Sequence, residues 1–365
     1  MPPKIRLNGL DHLRALAIIL VFIYHYGRLF ASPQWLTDLG KFGWTGVDLF
    51  FVLSGYLIAT QLFTDGQEQG KISVKTFYIK RFFRILPPYL LVVAIYFLFP
   101  DARERAAPAP LWKYLTFTQN LGLDVSIQGT FSHAWSLCIE EQFYLLFPFA
   151  LIILQKTKLF HKSWWLIPSL LIAGIILRAC CWNILVSNAG DYTWIYWYKY
   201  IYYPTYTRLD GLLIGISIAA MLRFQPLLTR RIQSYSHFIM VAGLMILTAA
   251  YFICEDQSTF PASVYGFPLV SIGYGCLVFA AVSPANLLYR HSSIITSYIA
   301  ILSYALYLIH KIVIHLVQQY VVRLNIERDS VLTLLIATAS CILAAVLMRE
   351  IVEKPSSGWR KRFLQ

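Results

Sequence analysis

The chain has 365 residues, of which 58% are hydrophobic and 13% are charged. Its mean hydropathy of +0.58 excludes a soluble globular protein and indicates many membrane-spanning segments, which we assign to one integral membrane domain, residues 1–365. The formal charge of +13 does not indicate a nucleic-acid partner, because the basic residues form short clusters between apolar segments. The six cysteines form no CxxC pair, so we interpret them as structural.

A helix needs about 20 mostly apolar residues to cross a bilayer, and the sequence contains about ten such segments. We therefore predict an all-α fold, a polytopic membrane helix bundle of about ten transmembrane helices. Their centres lie near Ile19, Val52, Val92, Leu145, Ile175, Ile216, Leu244, Val278, Leu308 and Ala339. The sixth is the least distinct, because the aromatic stretch 194–206 precedes it and is suited to the membrane interface. The first apolar run lacks a small-residue cleavage site, so we expect it to remain as a span.

Lysine and arginine are concentrated in alternate loops and in both terminal segments. These clusters include Lys4, Arg6, Lys156, Lys158, Lys162, Arg230, Arg231, Lys354 and Arg360. The positive-inside rule places them in the cytoplasm, and an even number of spans also puts both termini on one side. We expect a multi-pass protein of the bacterial inner membrane with both termini cytoplasmic, the loop 155–162 inside and the loop 255–260 outside.

The first span carries an arginine and a histidine, Arg14 and His25. A charged group in mid-membrane costs about 2.5–3.5 kcal/mol on insertion scales, so it needs a partner or a function. Eleven helical positions correspond to about 16 Å of rise and only about 20° of rotation, so both side chains lie on one face. Arg14 is suited to the phosphates of an acyl-CoA, and His25 to general-base catalysis on a hydroxyl. The alternatives are snorkelling of Arg14 to the interface and a polar contact of His25 inside the bundle.

The fourth span places two adjacent carboxylates, Glu140 and Glu141, in an otherwise apolar run. One helix face carries three polar residues at i, i+4 spacing, Ser136, Glu140 and Tyr144. A carboxylate on this face is suited to orient the imidazole of His25 and to stabilise its protonated form. The alternative is a structural ion pair with Arg178 or Arg208.

Other polar groups lie within the spans. They are Asp48, Arg208, Asp210, His310 and Lys311. One shared buried site and several separate structural pairs explain them equally well. In the second span, helix packing explains Ser54 and Gly55.

A basic stretch, KRFFR, precedes the third span and contains Arg81 and Arg84. Its side chains are suited to the phosphates of coenzyme A or, equally, to anionic lipid. Walker, Rossmann, HExxH and GxSxG motifs are missing from the sequence, so nucleotide hydrolysis, hydride transfer, zinc proteolysis and elbow-serine hydrolysis have no support. We expect no metal.

Six strings, in order along nearly the whole chain, resemble acyltransferase family 3, a family of membrane O-acyltransferases. They are RALAIILVFIYH, GVDLFFVLSGYLIA, FYIKRFFRILPPYLL, HAWSLCIEEQFYLLFP, TRLDGLLIGI and LSYALYLIH. Within these strings, Arg14 and His25 match the donor-binding and catalytic pair of the family. Glu140 matches the carboxylate that follows its Trp-Ser-Leu string.

The resemblance implies transfer of an acyl group, with acetyl from acetyl-CoA as the leading choice, from the cytoplasm to an acceptor at the outer membrane face. Acceptors in the family are cell-envelope polysaccharides or lipid-linked glycans, such as lipopolysaccharide O-antigen or exopolysaccharide. Some members carry an SGNH domain, and we expect this chain to be the stand-alone form, which transfers directly or through a partner protein. The alternative function is a transporter or flippase of an acylated glycan, because buried charges also mark substrate pathways.

Overall fold

The computed structural model describes residues 8–68, 70–157 and 165–364. Four basic residues used for the expected orientation, Lys4, Arg6, Lys158 and Lys162, lie outside these ranges. Within them, nine helices are long and apolar enough to cross a membrane, or ten if one bent helix pair is counted as a span. The β pairing in the described ranges is limited to one bridge. The predicted polytopic helix bundle is therefore confirmed.

The ten spans are numbered α1 to α10 in chain order. They are α1 (Asn8–Leu29), α2 (Gly43–Glu68), α3 (Val74–Leu98), α4 (Ser132–Lys156), α5 (Leu166–Val186), α6 (Asp210–Phe224), α7 (Ser236–Ile253), α8 (Ala262–Ala281), α9 (Ile294–Arg323) and α10 (Val331–Phe363). Each contains the centre that was predicted from its apolar run.

The sixth span is the bent pair. Helix α6 ends at Phe224, and a second helix, Pro226–Gln233, continues at 110° to it. Proline has no N–H to donate and its ring crowds the preceding turn, so the chain changes direction there. The aromatic stretch 194–206 forms short helical turns before α6 and is not part of the span.

The spans differ in how far they are enclosed by their neighbours. In α2 and α8, 72% of the most apolar window is buried, against 11% in α5 and 17% in α7. Helix α1 packs against both α2 and α9, and α9 packs against α10. The centre of the bundle is thus formed by α1, α2, α8 and α9, while α5 and α7 direct apolar side chains outward, where lipid is their solvent.

Helices α2 and α6 approach each other closely through glycines. A side-chain carbon at Gly55 would overlap the backbone oxygen of Leu212, and one at Gly215 would overlap that of Val52. Small residues allow such an approach of two helix backbones. The packing role expected for Gly55 is confirmed, whereas its neighbour Ser54 turns a hydroxyl toward the site described below.

We predict that Gly55→Ala lowers the midpoint of thermal unfolding in detergent, because overpacking a tight contact costs about 1–3 kcal/mol. The matched control is Gly358→Ala, where an added carbon meets nothing within 4 Å. In that helix, alanine is more favourable than glycine by roughly 0.5–1 kcal/mol. Equal midpoints for the two variants would contradict the close packing of α2 on α6.

Candidate active site

Three cavities adjoin one another along the bundle. We call them the arginine cavity, of about 230 Å³, the histidine cavity, of about 80 Å³, and the aromatic vestibule, of about 700 Å³. Val47 lines both the arginine and the histidine cavity. Tyr24 and Trp44 line both the histidine cavity and the vestibule. The three spaces therefore follow one another, with the histidine cavity in the middle.

The arginine cavity brings together the three arginines that the sequence predicted for donor binding. Arg14 comes from the start of α1, and Arg81 and Arg84 come from the start of α3. Alternate spans run in opposite directions, so these two helix starts lie at the same end of the bundle. Arg81 donates a hydrogen bond to the side-chain oxygen of Gln61 at 3.2 Å, and its guanidinium lies 5.3 Å from the ring centre of Tyr144. The roles of the three arginines in binding stay predictions.

Glu140 and Glu141 line the same cavity. Both oxygens of Glu140 are held: the Ser54 hydroxyl donates to Oε1 at 3.0 Å, and the Tyr144 hydroxyl donates to Oε2 at 3.0 Å. With every group ionised, the two carboxylates face three guanidiniums. Among the residues that line the arginine cavity, guanidiniums thus outnumber carboxylates, which favours an anionic ligand.

The histidine cavity is lined by His25 and His133, and His310 lies directly behind His25. Nδ1 of His25 lies 2.8 Å from Nε2 of His310. Nδ1 of His310 lies 3.0 Å from the backbone oxygen of Leu306 and 2.9 Å from that of Tyr307. The imidazole of His25 is thus held by a second imidazole.

This arrangement corrects one expectation about Glu140. We expected its carboxylate to orient His25, but its oxygens bond Ser54 and Tyr144, while His25 bonds His310. The alternative, an ion pair of Glu140 with Arg178 or Arg208, is also wrong, because both arginines pair with aspartates. A catalytic role of Glu140 stays a prediction, and it would act in the arginine cavity.

Tyr307 separates the arginine cavity from the histidines. Its hydroxyl donates to the backbone oxygen of His133 at 2.6 Å and accepts from the Ser136 hydroxyl at 2.6 Å. Its ring centre lies 5.6 Å from that of His133. Tyr307 and Ser136 also line the arginine cavity, so they form part of the wall between the two spaces.

Four buried charged groups around the start of α6 form two structural ion pairs. Arg208 donates to both oxygens of Asp48, at 2.9 and 3.1 Å. Arg178 donates to both oxygens of Asp210, at 2.7 and 3.1 Å. For Asp48, Arg208 and Asp210, the structural alternative is therefore the correct one.

Lys311 belongs to the site as well as to an ion pair. Its Nζ lies 2.9 Å from Glu104, and both side chains are 2% exposed. Lys311 also lines the histidine cavity. The sequence analysis did not single out Glu104, because this residue lies in a polar, proline-bearing segment after α3. A buried lysine in a span needs a carboxylate, and that requirement is the signal that would have found it.

The aromatic vestibule lies at the opposite end from the arginine cavity. Its walls carry seven aromatic side chains, Tyr24, Phe42, Trp44, Trp194, Trp197, Tyr198 and Tyr251, and the carboxylates Glu255 and Asp256. The sequence indicated the stretch 194–206 only as an interfacial segment. Its side chains instead form a wall of the vestibule and part of the histidine cavity.

Across residues 8–68, 70–157 and 165–364, no group of three or more His, Cys, Asp or Glu is placed to hold a metal ion. The polar groups that meet here are imidazoles, hydroxyls, carboxylates and guanidiniums. These groups are suited to proton transfer and to binding of an anionic substrate.

We predict that Glu140→Gln lowers product formation more than Glu141→Gln at equal membrane abundance. The amide presents only one acceptor oxygen to the two hydroxyl donors that now hold Glu140. Product would be measured per molecule of protein in isolated membranes. The reverse order of the two activities would contradict the assignment of Glu140.

Comparison with known proteins places this site in context. A family model described as an acyltransferase domain matches residues 7–350. A Staphylococcus aureus (strain MRSA252) protein, named as a candidate O-acetyltransferase, is 29% identical over 388 residues, covering 98% of this chain and 59% of the relative. O-acetyltransferase OatA of S. aureus (strain NCTC 8325 / PS 47) is 31% identical over 338 residues, covering 87% of this chain and 52% of the relative. The chain thus spans about half the length of these curated relatives. No solved structure was found to match.

Proposed function

Because the chain belongs to acyltransferase family 3, we propose that it is a multi-pass membrane O-acyltransferase of the bacterial inner membrane, and that acetyl is the group it transfers. The donor is a cytoplasmic acyl-CoA. The acceptor is a hydroxyl of a cell-envelope polysaccharide or a lipid-linked glycan. The observation that carries this proposal is the line of three adjoining cavities with His25 in the middle one.

The arginine cavity is proposed to bind the donor. Its three guanidiniums offer charge-assisted hydrogen bonds to the phosphates of coenzyme A. Arg84 is exposed and Arg14 is partly buried, so the cavity reaches from the surface into the bundle. The thioester end of the donor then lies toward Tyr307 and the histidine cavity, while the phosphates stay at the surface. This end of the bundle is the cytoplasmic one in our proposal, as the positive-inside rule expects.

The aromatic vestibule is proposed to bind the acceptor from the opposite side of the membrane. Aromatic rings offer flat apolar faces, and the indole and phenol groups add hydrogen bonds at their edges. Glu255 and Asp256 accept hydrogen bonds from hydroxyl groups. A sugar presents both apolar C–H faces and hydroxyls, and it matches this lining. The vestibule adjoins the histidine cavity at Tyr24 and Trp44, so one acceptor hydroxyl can approach His25 from this side.

The proposed reaction is a direct transfer. His25 takes the proton of the acceptor hydroxyl as its oxygen forms a bond to the acyl carbon of the thioester. The carbon–sulfur bond then breaks, and the protonated His25 returns the proton to the departing thiolate of coenzyme A. The products are an O-acyl ester on the acceptor side and free coenzyme A on the donor side.

We predict that deletion of the gene removes one acyl ester from the surface glycans, as seen by mass spectrometry. The wild-type protein should restore the ester, while His25→Ala should lower its formation by about 10²- to 10⁴-fold, the usual contribution of a general base. The matched control is His237→Ala on α7, an exposed histidine bonded to the backbone oxygen of Ala285.

Two outcomes would count against different parts of this proposal. Surface glycans that keep all their acyl esters in the deletion strain would contradict the function. Full restoration by His25→Ala, at normal abundance in the membrane, would contradict the role of His25 as the base.

A further inference from the structure

The histidine pair has a fixed direction of hydrogen bonding that starts at His310. This residue on α9 is fully buried, and its Nδ1 contacts the backbone oxygens of Leu306 and Tyr307 at 3.0 and 2.9 Å. A carbonyl oxygen only accepts hydrogen bonds, so Nδ1 of His310 must carry a proton.

The other nitrogen of His310, Nε2, is then an acceptor in the neutral ring. A buried imidazolium would need a carboxylate partner. The carboxylate of Glu104 lies beside Lys311. Its Oε1 accepts from Nζ of Lys311 at 2.9 Å and from the backbone N–H of Phe131 at 3.1 Å. This carboxylate is thus already paired with a cation, the ammonium of Lys311. The neutral form of His310, with a lone pair at Nε2, is therefore the one that fits its surroundings.

The protonation of His310 determines which nitrogen of His25 carries the proton, through one hydrogen bond. Nδ1 of His25 lies 2.8 Å from Nε2 of His310, and because the latter accepts, the former must donate. In the neutral ring of His25, the lone pair is then at Nε2, the nitrogen that remains for the histidine cavity. The opposite tautomer would place a proton at Nε2, and His25 would have no basic nitrogen to offer a hydroxyl.

We propose that His310 is a positioning residue that holds His25 in the tautomer with an unprotonated Nε2. This inference rests on the proposed function and adds a residue to its mechanism. His310 takes the place that a carboxylate occupies in other acyl-transfer sites. When His25 accepts the acceptor's proton, its Nδ1–H keeps the bond to His310, and that bond becomes charge-assisted. The proton then leaves from Nε2 of His25 to the thiolate, and His310 ends the reaction as it began.

The test compares two substitutions at one position. In His310→Gln, the amide oxygen can occupy the place of Nε2 and accept from Nδ1 of His25, whereas His310→Met has a similar size and no comparable acceptor. We expect turnover with acetyl-CoA to fall by about 10²- to 10⁴-fold in His310→Met, and by roughly tenfold or less in His310→Gln. The KM for acetyl-CoA should stay near the wild-type value, because other residues line the arginine cavity.

A spectroscopic measurement separates positioning from a structural role. In protein labelled with ¹⁵N-histidine, the signals of His25, assigned by their loss in His25→Ala, should show a protonated Nδ1 and an unprotonated Nε2. His310→Gln should keep this pattern, and His310→Met should lose it. The matched control is His315→Met, five positions further along α9, where the histidine bonds Gln319; it should change neither turnover nor the His25 signals.

The possible results are distinguishable. Wild-type protein that forms no ester contradicts the proposed function. Active wild-type protein with an equally active His310→Met, or with His25 signals that are the same in His310→Met, contradicts the role of His310 alone. Equal loss in the Met and Gln variants with unchanged His25 signals also overturns it, because the defect is then not one of tautomer.

Discussion

A charge buried in the hydrocarbon layer must be neutralised where it lies, because neither water nor a high dielectric is available to it. Two pairs meet this condition around the start of α6, Asp48 with Arg208 and Asp210 with Arg178. Breaking such a pair by removing one partner typically costs about 3–5 kcal/mol, since an uncompensated charge remains. These pairs join α2 and α5 to the start of α6. Further along α6, the close glycine contacts hold it against α2.

The same constraint explains how the site is assembled. The Lys311–Glu104 pair ties α9 to the loop before α4 and places a neutralised charge beside the two bonded imidazoles. The arginine cavity differs, because three guanidiniums face two carboxylates there. An excess of guanidiniums over carboxylates in the lining of a cavity is suited to an anionic substrate.

The sequence predicted the fold well and the site in part, for physical reasons. Ten apolar runs of span length have few alternatives in a bilayer, and a helical period suffices to put Arg14 and His25 on one face. Partners across the bundle depend on rotation and tilt of whole helices, which the period does not determine. For that reason the sequence predicted Glu140 as the partner of His25, whereas in the structure the partner of His25 is His310. Glu104 could not be predicted as a partner of Lys311, because it enters the bundle from a loop and not from a span.

In the proposed mechanism, the donor enters at the arginines and delivers its acyl group at His25. The most direct measurement is an electron cryomicroscopy structure of the full chain with a thioether analogue of acetyl-CoA, which binds but cannot transfer. We predict density for the phosphates beside Arg14, Arg81 and Arg84, and for the thioether beyond Tyr307, next to His25. Density for the analogue in the aromatic vestibule, with an empty arginine cavity, would overturn this mechanism.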